Sequence, residues 1–346
     1  MGGLKLAFHN NRFIAVEKKK DGIYLARKIR NELHIDYLKK NTITFNKFKT
    51  ISCLTEEFDI NIDLENNLNI LYINDNNDII LSKQKGKEKL RAIKSGLDSR
   101  IYYLTMVSNQ DTDNVFYMQD TENKNIFRIY HLFLKDNIIK EFMVDEIETY
   151  EILNSFKVLK DGDNLLILYY YRNQICLKGF DIKKSQWSHS ITLTNNKNRL
   201  YLDAMKIGNI LHLVYCDFDL ENFTIKYEGF IFDNDYINRI NEKSISPKGN
   251  FTDPVFVMVG DKIWICWRDA NKLLSIYSTD NGYSWNDIYQ WNEVKRLDIV
   301  KYKYVTDIID NRVYIENVYG TTGKDIGFLG FGNIKNAEIL DRKISD

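Results

Sequence analysis

One short pattern recurs along the whole chain and limits what the chain can fold into. A tight turn carrying Asp or Asn opens a strand-like run with apolar residues two and four places on; it occurs at Asn11, Asn66, Asp113, Asp163, Asn209, Asp261 and Asn311. The spacings lie between 46 and 55 residues, a period that marks solenoids and propellers. Seven copies use up the 346 residues with almost nothing left over.

Each turn follows an apolar run, such as Ile101 to Val107 or Leu200 to Ile207. A third run comes after it, such as Ile175 to Ile182 or Leu273 to Ser278. A weaker fourth run closes most units, for instance Ile138 to Val144, Trp187 to Leu193 and Ser284 to Ile288. Four short antiparallel strands repeated radially make a propeller blade. The second runs ILYI, LLILYYY, LHLVY and KIWICW are apolar almost throughout, as expected of strands covered on both faces. No segment keeps a 3.6-residue apolar period over helical length, so helices are expected to be nearly absent.

The pattern predicts an all-β, seven-bladed β-propeller of four-stranded antiparallel blades, a single domain over 1–346. The blades are placed at about 4–48, 49–96, 97–147, 148–194, 195–245, 246–295 and 296–346. The first unit is expected to open on its own innermost strand at Leu4, and the last to close on its own outer strand near Ala337 to Leu340. The long connections Asn41 to Glu57 and Glu242 to Asp253 are the ones expected to shape a site, because long loops on a rigid scaffold usually carry function.

The sharpest turn is Ser278-Thr279-Asp280-Asn281-Gly282-Tyr283-Ser284-Trp285, which fits S-x-D-x-G-x-[ST]-W. It resembles the Asp-box of sialidase-like and other BNR-repeat β-propellers, over one turn of one blade. The resemblance implies a loop between the third and fourth strands of that blade. Asp280 is expected to accept backbone N–H groups two or three residues on, and Gly282 to supply a positive φ. Trp285 is expected to open the next strand and lie back on the blade. Ser278, Asp280, Gly282 and Trp285 are therefore read as structural. Sialidases also carry an x-R-x-P near the N-terminus, three arginines for the substrate carboxylate, and a Tyr with a Glu partner. Here Pro247 and Pro254 are the only prolines, and neither stands two residues after an Arg. No catalytic residue is assigned.

Lys plus Arg and Asp plus Glu both total 48, so no global field steers the chain toward nucleic acid or an anionic membrane. Cys53, Cys176, Cys216 and Cys266 are widely spaced, which suggests buried thiols and neither a disulfide framework nor a zinc site. The five histidines show no i, i+4 pairing, and Asn74 to Asp78 and Asp217 to Glu221 lack the glycine and terminal glutamate of a calcium loop. Neither metal nor cofactor is expected. Gly320 to Lys324 lacks P-loop spacing and reads as a turn. No run approaches the roughly 18 apolar residues of a membrane helix, and the N-terminus lacks the apolar core of a secretory signal; a soluble domain without membrane insertion is expected.

Tyr72, Tyr169, Tyr215 and Trp267 occupy one equivalent position at the ends of four second strands, with Arg268, Tyr171 and Tyr319 close by. Such side chains can stack on sugars or grip a peptide, or can pack between blades. Asp217, Asp219, Glu221 and Asp269 are the loop carboxylates available for glycosidase-type chemistry, although turns favour Asp for their own reasons. Lys83, Lys85, Lys87, Lys89 and Arg91 alternate, which places five cations on one face of an extended segment, either to meet a polyanion or to protect an edge. Together these features point to non-catalytic recognition of a protein or glycan partner on the loop face. A glycoside hydrolase or lyase using loop carboxylates is the alternative.

Overall fold

The alternating and apolar runs pair as strands in a computed structural model. It describes residues 13–340 apart from 41, 43, 54, 64, 86, 110, 150–155, 220–221, 234–235, 309, 311 and 323–326. The chain packs as two compact units, Met1–Glu151 with Tyr302–Ile309 and Ile152–Lys301 with Asp310–Asp346.

The first unit holds three sheets of consecutive antiparallel strands. They are β1 (Phe13–Lys18), β2 (Gly22–Ile29), β3 (Glu32–Lys39) and β4 (Phe45–Ser52); β5 (Phe58–Ile62), β6 (Leu68–Ile73), β7 (Ile79–Lys85) and β8 (Lys87–Lys94); and β9 (Ile101–Asn109), β10 (Thr112–Asp120), β11 (Ile126–Lys135) and β12 (Ile138–Glu148). The connection expected over Asn41 to Glu57 thus contains a strand, β4.

The second unit holds three more sheets. The fourth sheet contains β13 (Lys157–Asp161), β14 (Asn164–Tyr171) and β15 (Gln174–Asp181), and its outer strand is split into β16 (Gln186–Trp187) and β17 (Ile191–Thr192), both against β15. The fifth runs β18 (Arg199–Ile207), β19 (Ile210–Asp219), β20 (Asn222–Asp233), β21 (Tyr236–Ser244), and the sixth β22 (Phe251–Val259), β23 (Lys262–Asp269), β24 (Lys272–Ser278), β25 (Ile288–Trp291). The turns at Asn66, Asp163, Asn209 and Asp261 join first to second strands, whereas Asp113 lies within β10. In three of them a glycine with positive φ, Gly162, Gly208 or Gly260, precedes the anchor, as in two-residue hairpins with glycine first. Helix among the described residues is confined to 3-10 turns at Asn292–Arg296 and Ile334–Asn336.

Six sheets, not seven, form among the described residues. The stretch expected as a seventh four-stranded unit, 296–346, lends strands to sheets begun elsewhere. β26 (Ile299–Thr306) lies parallel to β1, and β27 (Val313–Ile315) adds to β22. β28 (Asn317–Thr321) pairs with the two-residue β29 (Phe328–Leu329). β30 (Ala337–Leu340), expected as that unit's own outer strand, pairs with β25 of the sixth sheet. Pairing with these partners satisfies backbone N–H and C=O groups of the stretch. The innermost strand expected at Leu4, and the turn residues Asn11 and Asn311, lie outside the described residues.

Apolar clusters fill the spaces between successive sheets. In the first unit, Ile14, Ile35, Phe58 and Ile70 join the first and second sheets, and Leu71, Leu81, Met106 and Leu132 join the second and third. In the second unit, Leu166, Tyr170, Leu213 and Phe230 join the fourth and fifth, and Val214, Tyr227, Phe256 and Ile265 join the fifth and sixth. Sheets apolar on both faces are buried only when stacked in this way.

The first strands carry a feature absent from the sequence pattern. In β9, β18 and β22 the register slips at a bulge, and Tyr103, Tyr201 and Asp253 there adopt φ of 58°, 59° and 52°. A left-handed non-glycine residue costs on the order of 1–3 kcal/mol. The bulges accompany a sheet-to-sheet latch. Met106 N–H donates to Asp59 Oδ2 on β5 at 2.7 Å, and Phe256 N–H donates to Asp203 Oδ2 on β18 at 2.9 Å. Lys303 Nζ lies 2.5 Å from Asp59, and Lys157 Nζ lies 2.7 Å from Asp203 and 2.6 Å from Glu316. Burial disfavours the charge on Lys157, but Asp203 and Glu316 outweigh it and raise its pKa. Hydrogen bonds to charged groups contribute roughly 1.5–3 kcal/mol each, enough to offset the strain.

Candidate functional site

The aromatic positions equivalent in sequence are equivalent in structure, but they face inward. Tyr72, Tyr169, Tyr215 and Trp267 are all buried. Tyr169 Oη lies 2.9 Å from Ser190 Oγ, Tyr215 Oη donates to Glu228 Oε1 at 2.5 Å, and Trp267 meets Phe251 edge-on. Burial, followed by the Glu228 charge, raises the pKa of Tyr215. Second strands are covered on both faces, so a large side chain near their ends packs against a neighbouring sheet, Tyr72 toward the first, Tyr215 toward the fourth and Trp267 toward the fifth. Of the five residues, Arg268 alone is half-buried, its Nη2 donating to Ala270 O at 3.2 Å. Tyr319 is also buried, its hydroxyl donating to Asp253 O at 2.6 Å.

Ser278 to Trp285 lies between β24 and β25, and its hydrogen bonds account for each residue type. Ser278 Oγ donates to Asp280 Oδ1 and accepts from Gly282 N–H, both at 2.8 Å. Asp280 accepts Ser284 N–H at 2.8 Å and Ser284 Oγ at 2.5 Å. Partial burial opposes the charge on Asp280, yet the Ser284 and Ser278 hydrogen bonds prevail and lower its pKa. The Asp280 carboxylate is thus served by the backbone N–H of Tyr283, three residues on as expected, and by that of Ser284, four residues on. Trp285 does not open the next strand, which starts at Ile288; it stands edge-on to Tyr227 of the fifth sheet, ring centroids 5.0 Å apart. Asn241 Nδ2 donates to Gly282 O at 2.6 Å, docking the turn on the fifth sheet a second time.

Gly282 has φ of 86°, and a Cβ there would overlap the Tyr227 hydroxyl and ring. Gly282→Ala is expected to destabilise by about 2–4 kcal/mol, from roughly 1 for the backbone and 1–3 for overpacking. A thermal melt checks this, and an unchanged midpoint contradicts the docking role.

An open concavity lies in the first unit, between the second and third sheets. Its volume is about 480 Å³, and its walls come from three segments. Thr55, Glu56 and Glu57 lead into β5, Ile73 and Asn77 border the β6–β7 turn, and Leu97 to Ile101 link β8 to β9. Local hydrogen bonds set these walls. Asn74 Oδ1 accepts the N–H groups of Asn76 and Asp78 at 3.0 and 2.9 Å, making the Asn74–Asp78 loop a side-chain-capped turn. Asp78 Oδ1 then accepts Gly96 N–H, and Asn77 O accepts Leu97 N–H, at 3.0 and 3.1 Å.

Glu57 Oε2 accepts Leu104 N–H at 2.8 Å, Asp98 Oδ1 accepts Gln119 Nε2 at 3.0 Å, and Ser99 Oγ donates to Asp120 O at 3.3 Å. The Arg100 guanidinium lies 5.0 Å above the Tyr102 ring. Burial raises the Tyr102 pKa against the lowering effect of Arg100. The cleft thus combines carboxylate acceptors, hydroxyls, an amide and a guanidinium donor over Ile73, Leu97 and Ile101. Thr55 to Glu57 end the long connection expected to shape a site; Asp98 to Arg100 carry no sequence signal.

The loop carboxylates singled out in the sequence stand elsewhere. Asp219 is exposed and paired with Lys248, Asp217 and Asp269 lie near the ends of β19 and β23, and Glu221 is outside the described residues. The four cysteines are free and buried. Among the described residues no group of three or more His, Cys, Asp or Glu is arranged to hold a metal, and no helix is long and apolar enough to cross a membrane.

No family model matches the chain, and no curated protein matches it in sequence. Solved structures resemble it in fold. A prolyl endopeptidase aligns over 84% of this chain and 44% of its own, with 9% identity and a TM-score of 0.55; the chain spans under half that protein's length. Hydrazine synthase from Kuenenia stuttgartiensis aligns over 80% and 79%, with 9% identity and a TM-score of 0.49. The Aleuria aurantia lectin bound to Fucalpha1-6GlcNAc aligns over 82% and 94%, with 13% identity and a TM-score of 0.46. Identities this low speak to fold alone, and the fold is all-β, of the β-propeller class, built from four-stranded antiparallel sheets.

Proposed function

We infer that the protein is a recognition module that binds a glycan in the cleft lined by Thr55 to Glu57 and Asp98 to Arg100. The observation that carries this reading is the chemistry of the lining. Sugar hydroxyls both donate and accept, and the cleft offers acceptors in Glu56 and Asp98, a donor in Arg100, and groups of both kinds in Thr55, Ser99 and Asn77. Its volume falls within the roughly 300–1,000 Å³ of small-ligand sites. The buried aromatic positions supply rigidity behind the sheets, not contact.

A second reading, glycoside hydrolysis or lysis, draws on the same wall, because Glu56, Glu57 and Asp98 are carboxylates lining one concavity. A glycan array run beside a hydrolase and lyase substrate panel separates the two. Recognition predicts a saccharide hit without turnover, weakened at least about tenfold by Arg100→Ala, the loss of a charged hydrogen bond. Turnover abolished by Glu56→Gln or Asp98→Asn establishes the enzyme instead. A hit unaffected by Arg100→Ala removes the cleft from either reading.

A further inference from the structure

We propose that the β7–β8 hairpin is a second binding surface, a cationic face that docks a linear anionic polysaccharide. The strand register supports it. Lys83 stands directly opposite Lys89, and Lys85 opposite Lys87. Cross-strand partners share a face and alternate residues along a strand share it too, so Lys83, Lys87, Lys89 and Arg91 project together. Like charges placed directly opposite are destabilising, so folding alone does not favour the arrangement. Edge protection accounts for cations on β8 but not for Lys83, whose strand lies between β6 and β8.

Neighbouring groups hold the flanking cations in place. Lys83 Nζ sits 2.6 Å from Asp113 Oδ2 with its side chain still 41% exposed. Arg91 donates to Asp136 O and Asn137 O at 3.2 and 2.8 Å, carbonyls that orient its charge without cancelling it. Between them Lys87 and Lys89 are exposed. The one acid of the hairpin, Glu88, turns to the opposite face, where Ser82 Oγ and Lys49 Nζ hold it and lower its pKa despite the opposing cost of burial. The result is a row of cations, Lys87, Lys89 and Arg91, about 7 Å apart along β8 with Lys83 beside it, a spacing suited to a polymer with regularly recurring anions.

Two features favour a polysaccharide over other polyanions. No aromatic side chain of the hairpin shares this face to stack a base. The apolar residues on the face, Ile79, Leu81 and Ile93, are buried and leave no anchor for a lipid surface.

Heparin is the probe, with a sulfopropyl resin and duplex DNA as comparisons. The intact protein is expected to elute from heparin at higher salt than from sulfopropyl resin. The double variant Lys87→Glu, Lys89→Glu is expected to lose at least about tenfold in heparin affinity, with its melting temperature kept. The slope of log affinity against log salt should fall by roughly 2, as two counterion-releasing contacts disappear. Equal elution from both resins, an unchanged double variant, or tighter binding to duplex DNA overturns the proposal. Arg100→Ala should leave heparin affinity intact, so failure here is distinguishable from failure of the cleft reading.

Discussion

Arg199→Ala is expected to remove about 3–5 kcal/mol of stability, the usual cost of breaking a buried charge pair from one side. Arg199 is 2% exposed and sits at the start of β18. Its Nη1 donates to Asn195 O and Asn173 O at 2.5 and 3.2 Å, and its Nη2 donates to Asn195 Oδ1 at 2.7 Å. Its guanidinium lies 5.0 Å above the Tyr215 ring and 3.9 Å from Glu228, a carboxylate with no exposed surface. Truncation removes the hydrogen bonds to Asn173 and Asn195 and leaves the buried Glu228 with Tyr215 and with Arg239, 3.3 Å away. Arg199→Lys should rescue little, because an ammonium cannot reproduce the planar fork that reaches both Asn195 oxygens. Urea unfolding checks both variants; a loss under about 1 kcal/mol for Arg199→Ala contradicts this role.

Acidification should destabilise the fold well above the pH at which carboxylates protonate. His131 and His212 are wholly buried. His131 donates Nε2–H to Asn114 Oδ1 at 3.0 Å and stacks on Phe116, while His212 Nδ1 is hydrogen-bonded to the Tyr227 hydroxyl at 2.8 Å. Burial lowers their pKa values to about 3 and about 4, from an ordinary 6.5. Between 6.5 and those values the unfolded chain binds protons that the folded chain refuses. The stability contributed by neutral histidine is therefore complete above pH 6.5 and is lost as pH falls toward 4. At pH 5 the loss comes to about 2 kcal/mol per histidine, roughly 4 for the pair. Urea melts at pH 7 and pH 5 test this, and His131→Gln with His212→Gln should flatten the dependence. Equal stability at the two pH values contradicts it.

The strands were legible because their signal is local. Runs such as KIWICW and LLILYYY are apolar over the length of a covered strand, and β23 and β14 coincide with them. The turn from Ser278 to Trp285 was legible for the same reason, since Ser278, Asp280 and Ser284 bond to one another within seven residues. What depends on a neighbouring sheet was not legible. Tyr72, Tyr169, Tyr215 and Trp267 share a register that sequence reveals, but their burial between sheets decides that they pack.

The bulges at Tyr103, Tyr201 and Asp253 follow the same logic. Tyr and Asp do not announce a positive φ, and the groups that reward the bulged strands, Asp59 and Asp203, stand about 50 residues upstream of the N–H groups they accept. The stretch 296–346 forms no separate sheet among the described residues, because a spacing of about 50 residues records where strands begin, not which strands they join; β27 and β30 pair into the sixth sheet. The cleft leaves no motif in the sequence, because Glu56, Asn77 and Arg100 meet only when three connections converge.

Hydrogen–deuterium exchange with and without the saccharide that scores on the array tests the central claim most directly. Binding in the cleft predicts slowed exchange at 55–57, 74–78 and 97–101, with 217–219 and 268–271 unchanged. Protection confined to 217–219 and 268–271 would place the ligand at the second-strand ends of the second unit and contradict the account.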